Sequence, residues 1–158
     1  MARRYRSTFE NVSVSAAQDL IEVKGAAGKI CRVIRAWWGC TNTTLATSQS
    51  VSTRVRYLPA TVTDGSGGSS GTVSPMDPGD AAASVTTLKN NTTKATTGGT
   101  AVILEESGDH LYNGYQSRWD DRSCPIVGPS EAVVFELLST VSGTVNLSGG
   151  VELEEIGG

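Results

Sequence analysis

The residues of this chain equipped for chemistry are few and far apart. Its one histidine, His110, stands in ESGDHLYNGYQSRW, with Asp109 beside it and Asp120 and Asp121 downstream. A metal needs ligands converging from several elements, and histidine with carboxylates is a weak set without a second histidine. As a general base His110 would need a placed nucleophile, and no GxSxG elbow occurs. GAAGKI, ending at Ile30, lacks the GxxxxGK[ST] spacing of a phosphate-binding loop. The glutamates of LEE at 104–106 and ELEE at 152–155 have the residue type of glycosidase acid and base. Alternation, however, puts Glu152 and Glu154 together on one wet strand face. Cys31, Cys40 and Cys124 are odd in number and form no CxxC pair, so three reduced, mostly packed thiols are expected. The chain is therefore expected not to be an enzyme, with no catalytic, cofactor-binding or metal-binding residue.

Other residues suit binding. Arg3, Arg4 and Arg6 cluster in MARRYRSTF and are expected to form a basic arm over residues 1–6, anchoring onto an acidic partner surface. Trp37 and Trp38 are adjacent, so in a strand they point to opposite faces and at most one is core. The other belongs to an interface, where tryptophan is enriched. Alternatively it belongs, with Trp119, Tyr112 and Tyr115, to a sugar-binding platform. Arg54 and Arg56 share the polar face of VSTRVRY. The expected partner-binding set is thus Arg3, Arg4, Arg6, Trp37, Trp38, Arg54 and Arg56.

The elements that must position these groups are strands. In VSTRVRY, Val51, Thr53, Val55 and Tyr57 share one face, opposite Ser52, Arg54 and Arg56. DLIEVKG and VELEE alternate in the same way, which is the mark of antiparallel sheets with one wet face. Strands are expected near 5–15, 19–25, 29–39, 50–58, 84–88, 100–106, 110–117, 131–139 and 143–156. The last is read as a hairpin around Gly149-Gly150, with a further turn at ESGD. Short strands at this spacing predict one all-β domain over 1–158, an antiparallel, jelly-roll-like β-sandwich with long polar loops. EAVVFELL, at 131–138, is apolar on both faces. With no helix to cover its outer face, a neighbouring subunit is the expected cover. Residues 59–83, PATVTDGSGGSSGTVSPMDPGDAAA, are expected to be a mobile excursion that orders on a partner, because Gly/Ser-rich chain offsets little of its ordering entropy.

At 158 residues the chain can bury a core without disulfide or metal. A net charge of −3 gives no global attraction to nucleic acid or anionic membrane. No apolar run of secretory-leader or membrane-span length occurs, so a soluble protein made in the cytoplasm is expected.

Three stretches carry a resemblance. STFENVSVSAAQDLIEVKGAAGKICRV, GSGGSSGTVSPMDPGDAAASVTTLKNNTTKATT and SGTVNLSGGVELEEIGG together resemble, in order and over most of the chain, a family of small proteins of tailed bacteriophages. In kind the chain is similar to the jelly-roll decoration, or cement, proteins of phage capsids. That resemblance implies a structural virion protein on the capsid surface, a homotrimer whose partners are itself and the major capsid protein, with neither nucleic acid nor membrane bound. A tail, neck or baseplate protein would share every feature above, and a carbohydrate-binding module stays open.

Overall fold

A computed structural model describes residues 2–42 and 47–156, and every described element is a strand. In chain order the first seven are β1 (Arg3–Val14), β2 (Gln18–Lys24), β3 (Ile30–Cys40), β4 (Ser50–Leu58), β5 (Val62–Thr63), β6 (Ser69–Gly71) and β7 (Val73–Pro75). The rest are β8 (Thr86–Asn91), β9 (Thr96–Thr97), β10 (Val102–His110), β11 (Tyr115–Arg118), β12 (Ile126–Val127), β13 (Ala132–Leu137) and β14 (Val145–Ile156). One sheet runs β11-β3-β14-β1-β7, with β12 also on β3; the other runs β10-β4-β13-β2-β8-β6, and β5 pairs with β9. All pairings among these strands are antiparallel.

The two sheets face each other across one core. β1 contributes Tyr5 and Phe9, β2 Ile21 and Val23, β3 Val33, Ala36 and Trp38, β4 Val51 and Val55. Val133, Phe135 and Leu137 of β13 meet Val151 and Leu153 of β14, and Tyr115 tilts onto Phe135 at 5.1 Å. The antiparallel sandwich follows from the alternation: inward residues recur every second position, with Ser7 and Thr53 filling the gaps in β1 and β4, and β3 departs from this once, between Val33 and Ala36, where it is bulged.

Four expectations are corrected. Gly149 and Gly150 make no hairpin; β14 runs straight through them. A Cβ on Gly149 would stand 2.9 Å from both Phe9 Cζ and Trp38 Cα, so the glycines are there for close approach between strands. ESGD is not a turn either, since β10 continues to His110 in register with β4, and the chain turns after it, at Leu111 to Gly114. The outer face of β13 is covered by the chain itself. Ala132 and Val134 pack with Leu58 and Ala95 beneath Val62 and Ala101, which removes the argument from this strand for a neighbouring subunit.

The cover is the fourth correction. Residues 59–83 are expected to wander, and instead they belong to a strap that runs from 59 to 101. Its Gly65 N–H donates to Glu22 (3.1 Å) and its Ala95 N–H to Asp19 (2.7 Å), both buried carboxylates of β2. β6 then extends one sheet and β7 the other, closing that lateral edge of the sandwich. The chain crosses between them after Gly71, where a Cβ would be 2.8 Å from Ser7 Oγ. Backbone bonding to buried acids, together with a few packed side chains such as Val62, Val73 and Ala95, orders this Gly/Ser-rich segment.

Candidate functional site

Among the described residues there is no free basic arm; Met1 of the expected arm lies outside them. Arg3, Arg4 and Arg6 lie in β1, paired with Glu155, Glu154 and Glu152 of β14. Their backbone is fixed because Tyr5, between them, is fully buried. Cross-strand register then assembles the outer face of the β11-β3-β14-β1 sheet in rungs. One rung is Ile126, Arg32, Glu154 and Arg4; the next is Arg118, Arg35, Glu152 and Arg6; the third is Gln116, Trp37, Gly150 and Thr8.

Each glutamate is shared by two arginines. Glu152 Oε1 accepts from Arg6 at 2.7 Å and Arg35 at 3.5 Å; Glu154 faces Arg4 at 3.7 Å and Arg32 at 3.5 Å. The arginine side chains keep 29–56% of their surface exposed, the two glutamates only 13–16%. The carboxylates are therefore sunk and the guanidinium groups form the surface. Trp37 lies among them, with Arg35 at 4.6 Å and Arg6 at 5.8 Å from its ring centre. Trp38 points the other way into the core, as adjacency requires.

Of the expected partner-binding set, Arg4, Arg6 and Trp37 lie on this face, together with Arg32, Arg35 and Arg118, which sequence reasoning did not include. Arg3 pairs with Asp80 at 3.4 Å away from this face. Arg54 and Arg56 lie on the other sheet and are engaged within the chain. Arg54 bonds Glu136, and Arg56 reaches Glu136 (3.1 Å) and Asp19 (3.5 Å), with Lys94 of the strap 3.0 Å from Glu136. This cluster is an internal clamp beneath the strap. Burial pushes Asp19 up to about 7, against the opposing pull of the Ala95 N–H and Arg56.

A second surface lies at the other lateral edge, where β10 faces β11 and β12. Val102, Ile103, Leu104 and Ile126 are 43–55% exposed there. Beside them Tyr57, Leu104, Trp119, Pro125 and Ile126 line a groove of about 360 Å³. β10 is bulged between Ile103 and Glu105, and Glu106 and Asp109 follow, so only its first half presents an apolar edge.

His110 bonds Ser48 Oγ through Nε2 (2.7 Å), and the Tyr112 N–H points at Nδ1 (3.3 Å). With Nδ1 accepting, Nε2 carries the hydrogen and donates to Ser48, the reverse of what activates a serine nucleophile. Trp37, Asn113, Tyr115, Gln116 and Ser148 border a shallow hollow of about 380 Å³ in which a sugar platform was open to expectation. The Trp37 ring, however, is already engaged by the two guanidinium groups. Cys31 and Cys124 are buried and Cys40 half-buried, all as free thiols, and burial lifts Cys31 to about 12. Among the described residues no helix long and apolar enough to cross a membrane is found, and no cluster of three or more potential metal ligands. No family model matches the chain, and neither curated proteins nor solved structures yield a significant match.

Proposed function

We propose that this chain is a structural virion protein of a tailed phage: a capsid decoration protein that self-associates as a homotrimer on the head and braces the lattice of the major capsid protein. The observation that carries the reading is the open lateral edge, with Val102, Ile103, Leu104 and Ile126 exposed beside the Trp119 groove. Contiguous apolar surface rimmed by charge marks a protein contact, and an unpaired edge strand is otherwise a liability. The opposite edge is closed by the chain's own β6 and β7, so the open one is the exception that a second copy covers.

Strand order lends support. Taking the eight principal strands β1, β2, β3, β4, β10, β11, β13 and β14 as one to eight, the sheets run six-three-eight-one and five-four-seven-two. We read this as the double Greek key of a jelly roll, the fold that the family resemblance implies. The resemblance, not the geometry, supplies the phage, the capsid and the trimer. Many weakly held copies on one lattice gain avidity that no single contact provides.

Quantitative mass spectrometry of purified particles tests the reading through the copy number relative to the major capsid protein. Hundreds of copies support decoration, a handful move the protein to tail or neck, and none overturns a virion role. For the edge, sedimentation of the purified chain and of Ile103→Asp gives the oligomeric state. An oligomer that the substitution disperses is expected; a monomer in both refutes self-association through β10.

A further inference from the structure

We propose that the outer face of the β11-β3-β14-β1 sheet is a docking surface for an acidic protein surface, gripped by Arg4, Arg6, Arg32, Arg35 and Arg118 around Trp37. The inference rests on the reading above for where the partner lies, but its chemistry comes from this face alone.

Charge is the first argument. Five guanidinium groups against Glu152 and Glu154 leave the paired rungs at +3, in a chain whose whole is −3. Glu10 and Lys89 stand together at the border toward β7 and cancel. Surplus of one sign, concentrated on one sheet face, steers association with a surface of the other sign.

Donor capacity is the second. A guanidinium carries five N–H donors in a fork that fits a carboxylate two at a time. Here two carboxylates serve four arginines, and three of the four approaches are 3.5 Å or longer. Arg35 spends one further donor on Gln116 Oε1, at 2.5 Å, and donor capacity is left over on the face. The glutamates act as spacers: they hold like charges on neighbouring strands in place, where those charges would otherwise repel. Strands lie ~4.8 Å apart, so β1 and β3, separated by β14, hold their arginines on the order of 10 Å apart. Carboxylates of a folded protein surface can meet that array.

The third argument selects protein over nucleic acid. A duplex groove admits a helix or a two-stranded ribbon, not a sheet of this breadth. Single strands bind on open aromatic faces, and Trp37 is taken up by Arg6 and Arg35. Tryptophan and arginine together, around sunk carboxylates, are instead the residue types that dominate protein interfaces.

The test uses the intact purified chain and polyglutamate as the acidic probe, with a duplex oligonucleotide of matched charge as competitor. Polyglutamate is expected to bind in low salt and to perturb tryptophan emission, a change that Trp37→Phe abolishes. Arg118→Glu, on the exposed end of β11, is expected to weaken binding about tenfold or more, and Lys24→Gln, on the other sheet, to leave it unchanged. Urea unfolding of each variant separates lost binding from lost fold. Tighter binding of the duplex than of polyglutamate overturns the proposal in favour of nucleic acid. Absent binding, or binding indifferent to Arg118→Glu, overturns it outright. Absence of the protein from particles would remove the capsid reading and leave this result untouched.

Discussion

Replacing Asp19 with asparagine separates the two forces acting on the clamp beneath the strap. Asp19 is wholly buried on β2, accepts the Ala95 N–H at 2.7 Å, and shares its surroundings with Arg56, Glu136 and Lys94. Desolvation is the largest influence on it and raises its pKa from an ordinary 3.8 to about 7, with Arg56 and Lys94 opposing and Glu136 reinforcing. A carboxyl that holds its proton more tightly when folded makes the folded state gain from protons. Its contribution is thus fully present below the unfolded value and disappears as pH rises through the folded one. The ~3-unit rise corresponds to about 4 kcal/mol between acid and alkaline limits, of which about 3 kcal/mol falls between pH 5 and 8. Glu22, also raised by burial, adds a slope of the same sign.

Urea unfolding followed by tryptophan emission measures this directly, as a free energy at each pH with the slope in denaturant held common. The wild-type chain is expected to lose stability steadily from pH 5 to 8. Asp19→Asn mimics the protonated side chain, still accepting from Ala95, so its curve is flatter and crosses above the wild type by pH 8. Two other shifted groups fall outside the window: Asp120 is lowered by the N–H groups of Arg122 and Ser123, and Cys31 is raised by burial to about 12. A wild-type curve that is flat or rises would refute the reasoning. So would a loss of more than ~2 kcal/mol in Asp19→Asn at pH 5, because the Arg56 ion pair would then outweigh desolvation.

Deleting residues 2–6 removes the buried Tyr5, the first four pairs of β1 with β14 and two of its three with β7, so an unfolded or aggregated product is expected by circular dichroism and gel filtration. Phe135→Ala opens the core where Tyr115 leans on it and is expected to cost 3–5 kcal/mol in urea unfolding. Gly149→Ala brings a methyl group against the Trp37 carbonyl and Phe9, and a fall in melting temperature of several degrees is expected, on the order of 1 kcal/mol or more.

What the sequence showed clearly is whatever one strand carries by itself. Val51, Thr53 and Val55 are buried while Ser52, Arg54 and Arg56 face away; Trp37 and Trp38 part to opposite sides. The interaction face is a different kind of fact. Arg6 meets Glu152 across 146 residues of chain and Arg35 meets it across 117, and the register joining them depends on bulges in β1 and β3. Period two says which side of a strand a residue takes, never which strand lies beside it. Arg32 and Arg35, three residues apart, share a face only because β3 is bulged between them, so alternation could not join them with Arg118 as a set.

The strap was hidden for a different reason. Composition predicts disorder because it counts the apolar side chains a segment can bury, and 59–83 has few. Here the segment is instead held by its backbone: Gly65 and Ala95 donate to carboxylates that the sheet supplies, and Ser66 bridges to Thr93. The signal lay in the sheet and not in the strap. Asp19, Glu22 and Glu136 interrupt strands that are otherwise apolar, and a carboxylate there is costly unless something donates to it. An acid in the middle of a two-faced apolar strand therefore calls for a polar cover, and a glycine-rich segment, whose N–H groups no side chain crowds, is the chain best able to supply one. The same reasoning removes the need for a subunit over EAVVFELL and moves the search for a partner to surfaces that no described residue covers, the arginine face and the β10 edge.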